Sequence, residues 1–136
     1  MLRLEKKLKL IRCDCVSLYD ILENKLLEWC NEYDIDIMCI TFQFKDVITT
    51  IYEGKTINCL GLTYFIRDGS ERWCSVDILE RMHNEFLATS VFWHEFCHCE
   101  PWIKDGISDG HSGTWSKRLW RKPIYAIGQF LAKIVY

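Results

Sequence analysis

The chain has 136 residues, 49% of them hydrophobic and 26% charged, with a formal net charge of −2. This length and balance are typical of one globular domain that can bury a core, so we predict a single domain over residues 1–136. A net charge this close to zero gives no electrostatic reason to expect a nucleic acid or a membrane as the partner.

The N-terminal stretch MLRLEKKLKLIRCDC has charges within every apolar run, so it lacks the apolar region of a signal peptide. No apolar run approaches the roughly 20 residues that span a bilayer, and the nearest, IYAIGQFLAKIVY, is broken by Gln129 and Lys133. The eight cysteines are irregularly spaced and form no CxxC pair. We therefore expect a cytoplasmic protein, with no membrane partner, in which most cysteines are reduced and buried.

The first regular element is predicted from Ser17 onward. Ser17 and Asp20 have the spacing of a capping box at the start of SLYDILENKLLEWCNEYD. Apolar residues then recur at helical spacing, namely Leu18, Ile21, Leu22, Leu26, Trp29 and Cys30. This periodicity predicts an amphipathic helix.

The segment from residue 34 to residue 79 is rich in Ile, Thr, Tyr, Phe and Val, which favour strands. Three turn signals divide it, at Lys45–Asp46, at Glu53-Gly54-Lys55 and at Asp68-Gly69-Ser70. We predict a small antiparallel sheet of three to four strands.

Helical periodicity returns at about Asn84 and continues through EFLATSVFWHEFCHC. We predict a loop from Glu100 to about Gly113, a short helix TWSKRLWRK that Pro123 stops or kinks, and a final helix from Ile124 to Val135. That last helix has one apolar seam, formed by Ile124, Ile127, Leu131 and Ile134. The complete order predicts an α+β fold: N-terminal helix, small sheet, long helix, loop and C-terminal helices.

His94, Glu95 and His98 form an HExxH pattern within the long helix. Residues four apart lie on one helix face, so both imidazoles can reach one metal ion, while Glu95 points at a water on that ion. Histidines also satisfy hydrogen bonds in protein cores, but that interpretation needs two such cases beside a costly buried glutamate. The pattern therefore predicts a Zn²⁺ site with Glu95 as the catalytic residue.

A catalytic zinc usually has three protein ligands and one open position. We predict His111 as the third ligand, because Gly110 and Gly113 allow the backbone of DGHSG to turn close to a metal. Three carboxylates compete for this role, at Glu100, Asp105 and Asp109. They would otherwise be loop carboxylates or partners that orient an imidazole.

These residues resemble the SprT-like zinc metallopeptidases, whose motif is a helical HExxH followed by a glycine-histidine third ligand. The matching residues are HEFCH at 94–98, Trp102, Gly110, His111, Gly113 and Trp115. The resemblance implies zinc ligands at His94, His98 and His111, Glu95 as general base, and a helix followed by a small antiparallel sheet. Many members also carry a four-cysteine zinc ribbon, and no CxxC pattern follows the motif here.

We therefore predict a zinc metallopeptidase, a hydrolase that acts on a protein or peptide substrate. Nucleic acid is a weaker candidate partner, because the basic clusters at 3–12 and 117–122 are typical of solvated helix faces. One alternative is a metal amidase, as in peptide deformylases, with Cys59 or Cys74 as third ligand. The other is a non-catalytic, zinc-stabilised binding protein, for example of phage or mobile-element origin.

Two further groups of residues are candidates for substrate contacts. Tyr64 and Tyr125 are available as oxyanion donors, although most tyrosines pack in cores or lie on surfaces. Four tryptophans are candidates for a substrate groove, with core packing as the default for at least half of them: Trp93, Trp102, Trp115 and Trp120.

Overall fold

The computed structural model describes residues 17–108, 110–111 and 113–136. The predicted α+β class is confirmed. In chain order the elements are α1 (Leu18–Glu32), a 3-10 turn (Ile37–Cys39), β1 (Ile40–Lys45), β2 (Thr49–Tyr52), β3 (Lys55–Asn58), β4 (Gly61–Asp68), β5 (Glu71–Leu79), α2 (Glu85–Asp105), α3 (Gly113–Leu119) and α4 (Pro123–Val135). Among the described residues, no helix has both the length and the apolar character that crossing a bilayer requires.

Helix α1 begins as the capping box predicts. The hydroxyl oxygen of Ser17 accepts a hydrogen bond from the backbone N–H of Asp20 at 3.2 Å, which satisfies one of the free donors of the first turn. The buried face of α1 includes Leu22, Leu26 and Trp29. The Trp29 ring packs on aromatic rings of α2, so α1 covers one side of the central helix.

The main sheet has the order β1-β5-β4. Strand β4 pairs antiparallel with β5 across the turn at Gly69, which has a positive φ of 61°. Strand β1 pairs parallel with β5, from Ile40 opposite Cys74 to Lys45 opposite Leu79. The expectation of a wholly antiparallel sheet is therefore wrong, because the chain crosses over before β5 and returns in the direction of β1.

Strands β2 and β3 form a separate two-stranded hairpin. Its turn is the predicted Glu53-Gly54 pair, and both residues have positive φ, 50° and 75°. Two successive left-handed residues suit the tight turn of a hairpin. The hairpin lies between β1 and β4 in the chain and leads into β4 beside the central helix.

Helix α2 lies at the centre of the protein, and every residue from Leu87 to Cys97 is buried. It continues through Pro101 to Asp105, beyond the predicted loop start at Glu100. Gly106 ends it in the left-handed conformation, with φ of 70°, and its N–H donates to carbonyl oxygens of the last turn. The helix ends where a glycine can cap it and not at the proline.

Pro123 is the first residue of α4 and does not end the preceding helix, which already stops at Leu119. The apolar seam of α4 is exposed, from 45% at Leu131 to 81% at Ile134. Helix α4 packs on α2 through small residues instead. A methyl group added at Gly128 would overlap the hydroxyl oxygen of Ser90, so the two helices approach closely there.

Candidate metal site

The structure brings the three predicted histidine ligands together. His94 and His98 lie one turn apart on α2, and His111 reaches them from the segment before α3. The Nε2 atom of His94 lies 3.1 Å from Nε2 of His111 and 3.3 Å from Nε2 of His98. One nitrogen from each ring lies within 4.8 Å of the other two, so these three histidines can hold a metal ion.

The separation of the nitrogens fits a tetrahedral ion. Zinc binds imidazole nitrogen at 2.0–2.1 Å, which places two tetrahedral ligands about 3.3–3.4 Å apart. The observed separations of 3.1 and 3.3 Å are close to that spacing. Three nitrogens with lone pairs pointing at one another cannot all satisfy each other by hydrogen bonds, whereas one cation satisfies all three.

Gln129 of α4 determines which nitrogen of His94 is free. Its Oε1 lies 3.1 Å from Nδ1 of His94, and since an amide oxygen only accepts, this contact favours the tautomer with the proton on Nδ1. Nε2 is then unprotonated and points at the other two histidines. Metal-binding histidines are generally oriented in this way, by a hydrogen bond from the ring nitrogen that does not bind the metal.

Burial keeps the imidazoles neutral. Burial lowers the pKa of His94 to about 4, and the charge of Lys133 contributes in the same direction. Burial also lowers the pKa of His98 to about 3, and the neighbouring His94 and His111 add to that shift. The pKa of His111 is lowered for the same main reason, although its side chain is more exposed. A neutral imidazole is the form that binds a metal.

Trp115 at the start of α3 forms the floor of the histidine cluster. Its ring centroid lies 4.8 Å from that of His94, 5.5 Å from that of His98 and 4.5 Å from that of His111. Its indole N–H donates to the carbonyl oxygen of His94 at 3.2 Å. A single rigid side chain therefore contacts all three rings and restricts their orientation.

Glu95 is 5% exposed and lies beside the cluster. Its Oε1 accepts a hydrogen bond from the Thr63 hydroxyl at 2.9 Å, and its Oε2 lies 3.7 Å from Nε2 of His94. Burial raises the pKa of Glu95 to about 7, against the opposing effects of Thr63 and of the Lys133 charge. Gly61 of β4 makes the space, since a Cβ there would lie 3.1 Å from the Glu95 side chain.

A cavity of about 300 Å³ opens beside Glu95, His94 and His111. Its wall is formed by residues 57–61 at the end of the hairpin and the start of β4, and by side chains of Val91, His94, Glu95, His111, Gln129 and Lys133. The hairpin, the central helix and the last helix therefore meet at one opening that reaches His94, His111 and Glu95 together.

Of the competing carboxylates, the two that the structure describes, Glu100 and Asp105, do not belong to the histidine group. Glu100 is 3% exposed and turned to three cations, with Lys104, Arg118 and Arg121 at 3.0, 2.7 and 2.6 Å. It therefore ties α2 to the region of α3. Asp105 is the last residue of α2, and Asp109 lies outside the described residues.

Neither alternative cysteine ligand belongs to the histidine group found among the described residues. Cys59 lines the cavity wall, and Cys74 is buried in β5. Of the cysteines that the structure describes, four are buried and two are half-buried, and all are free, as the expectation of reduced cysteines requires.

None of the tyrosines and tryptophans that we predicted as substrate contacts lines the cavity, although Trp115 contacts the histidine rings. Neither Tyr64 nor Tyr125 is among the described residues that line the cavity. Trp93 is fully buried against Trp29. The indole N–H of Trp102 donates to backbone carbonyls of β4 and β5, and Trp120 is 49% exposed.

Sequence reasoning missed Thr63, Gln129 and Lys133. Each reaches the site from an element far away in the chain, and none belongs to a local pattern. The only available signal was the interruption of the apolar C-terminal helix by Gln129 and Lys133, four residues apart and so on one helix face.

Comparison of the chain with protein-family models, with curated proteins and with solved structures finds no match in any of the three. The resemblance to SprT-like peptidases therefore stays a prediction from the motif residues. The function has to be inferred from the chemistry of the site itself.

Proposed function

We propose that this chain is a zinc-dependent peptidase of the SprT-like type that hydrolyses peptide bonds in a protein or peptide substrate. One observation carries the proposal: a buried carboxylate, Glu95, lies beside three converging imidazoles, 3.7 Å from Nε2 of His94, and lines one cavity together with His94 and His111. A metal site that only stabilises a fold has no need of such a base.

His94, His98 and His111 would hold the zinc ion through their Nε2 atoms. Structural zinc sites are usually closed by four protein ligands, whereas catalytic sites have three and keep one position open. The three histidines are the ligand group found among the described residues. Bound zinc supplies a Lewis acid that polarises a carbonyl group and lowers the pKa of a water molecule.

Glu95 would be the general base. Its Oε1 is held by Thr63 at 2.9 Å, which leaves Oε2 on the side of His94 to accept the proton of the attacking water. The same carboxyl group would then pass that proton to the leaving amine. A buried carboxyl group is suited to both roles, because burial raises its pKa to about 7, where it can both accept and release a proton near neutral pH.

The test is the Glu95→Gln substitution, assayed for zinc content and for cleavage of a fluorescein-labelled casein. Glutamine is nearly isosteric, so we expect one zinc per chain to be kept and cleavage to fall by about 10²–10⁴-fold, the usual contribution of a general base. The matched control is Glu85→Gln, an exposed carboxylate in the first turn of the same helix. That variant should cleave like the wild type.

Each of the other possible results rejects a specific part of the proposed function. Cleavage that survives in Glu95→Gln would remove Glu95 from the mechanism. Wild-type protein that binds zinc and cleaves nothing would favour the non-catalytic, zinc-stabilised binding protein. Protein that neither contains nor takes up zinc would exclude both functions.

A further inference from the structure

The cavity wall contributed by α4 has polar groups that the hydrolytic chemistry does not use. Gln129 is 2% exposed, and its Nε2 is the one buried side-chain nitrogen or oxygen in the described part of the chain without a hydrogen-bond partner. A buried unpaired amide donor destabilises the protein unless something binds it. Such a group on a cavity wall points to a ligand with an acceptor oxygen.

The orientation of the Gln129 amide follows from the metal site. His94 can offer Nε2 to a metal only if its Nδ1 carries the proton, and that proton needs the amide oxygen as acceptor. The amide nitrogen must then be the group that remains free. The same side chain thus positions a metal ligand with one atom and has an unpaired donor at the other.

Lys133 lies one helical turn after Gln129 on α4 and lines the same cavity. It is the only lysine or arginine among the described lining residues, and Glu95 is the only carboxylate. Its charge acts on the site: burial is the main cause of the pKa shifts of His94, His111 and Glu95, and the positive charge of Lys133 lowers each of these pKa values as well.

We infer that Gln129 and Lys133 form a carboxylate-binding subsite, so that the substrate carries a carboxylate close to the bond that is cleaved. An amide N–H and an ammonium group one turn apart match the two oxygens of a carboxylate. The remaining wall is largely apolar, with Ile57, Leu60 and Val91. The carboxylate is either an acidic side chain or a free C-terminus. The subsite rests on the proposed function, since it gives that peptidase its substrate class.

The test measures peptide binding by calorimetry. It uses the purified full chain with the Glu95→Gln substitution, so that no peptide is cleaved during the measurement. The probes are two pairs of acetylated tripeptides. The first pair is Ala-Leu-Asp-amide against Ala-Leu-Asn-amide, and the second is Ala-Leu-Ala with a free carboxylate against its amide. We expect the acid of one pair to bind at least about fivefold more tightly than its neutral twin. The pair that shows the difference identifies the source of the carboxylate.

Four further variants in this background assign the preference to its residues. Lys133→Gln should abolish the preference for the acidic peptide. Lys133→Glu should reverse the charge preference, so that Ala-Leu-Lys-amide binds more tightly than the acidic peptides. Lys117→Gln removes the same charge from an exposed position on α3 outside the cavity wall and should leave the preference unchanged. Gln129→Glu keeps an acceptor for His94 but replaces the donor, so zinc content should remain while the preference is lost.

Equal binding within both pairs, or a preference that survives in Lys133→Gln, would overturn the subsite. Because Lys133 is exposed, its substitutions should not prevent folding. The two proposals fail separately. A carboxylate preference without casein cleavage by the wild type would reject only the peptidase, and cleavage without the preference would reject only the subsite.

Discussion

His111 is the one histidine of the group that lies outside the HExxH helix. We expect His111→Ala to lower zinc affinity by more than the 10–100-fold that loss of a supporting partner costs, because a ligand itself is lost. The measurement is competition for zinc against a chromophoric chelator. His83→Ala is the matched control, since His83 is exposed and lies outside the histidine group.

Unchanged zinc affinity in His111→Ala would mean that another residue completes the site. Glu100 is a poor candidate because its carboxylate already pairs with three cations. Asp109 would be the next residue to substitute. A drop in the His83→Ala control of the same size would show that the assay measures folding and not ligation.

At the scale of residues, the sequence predicted those parts of the site that depend on the spacing of residues close together in the chain. The four-residue step from His94 to His98 and the glycines around His111 are local, so their consequence can be calculated from helix and turn geometry. Thr63 and Gln129 could not be predicted in this way. Each contacts the site through a side chain 32 or 35 residues away from its partner, and only tertiary packing creates those contacts.

At the scale of elements, the site depends on how closely α4 approaches α2. In Gly128→Ala the added methyl group would overlap Ser90 and lie 2.9 Å from the ring of Phe86. Alanine gains about 1 kcal/mol of helix propensity, but overpacking costs about 1–3 kcal/mol and also moves Gln129 away from His94. We expect lower stability in urea unfolding together with weaker zinc binding.

The contact with Ser90 can be isolated by a double-mutant cycle. Ser90→Gly removes the side chain that the new methyl group would meet, so Gly128→Ala should cost less stability in that background. Additive effects of the two substitutions would show that this contact does not set the helix separation. The size of the coupling between them therefore measures how tightly α2 and α4 are packed here.

The elements themselves were largely predictable, but their pairing was not. Turn residues such as Gly54 and Gly69 mark the hairpins, because few other residues accept their positive φ. The parallel pairing of β1 with β5 depends on contacts 34 residues apart, for which no local pattern exists. The apolar seam of α4 wrongly suggested the buried face of that helix. Close helix packing and the contact with His94 require Gly128 and Gln129 on the buried face, so the large apolar residues face outward.

At the scale of the whole molecule, the cysteines report whether the core around α2 is intact. Cys30, Cys74, Cys97 and Cys99 are buried, and Cys39 and Cys59 are half-buried. Burial raises the pKa of Cys30 to about 11, and it is also the main cause of the raised pKa of Cys39 and of Cys59. Among the described cysteines, the accessible thiols are therefore those of Cys39 and Cys59, and both are less ionised than usual.

We expect iodoacetamide at pH 8 to label Cys39 and Cys59 first, with the four buried cysteines protected until the protein unfolds. Since only the thiolate reacts, a raised pKa keeps Cys39 and Cys59 mostly protonated at pH 8, and their labelling should accelerate steeply between pH 8 and pH 10. Mass spectrometry of the digested protein assigns each label, which separates these residues from Cys13 and Cys15, outside the described part of the chain. Protein unfolded in urea provides the reference rate. Buried cysteines that react in the native protein as fast as in that reference would contradict the packing of one core around α2, and with it the rigid support that holds the histidines and Glu95 together.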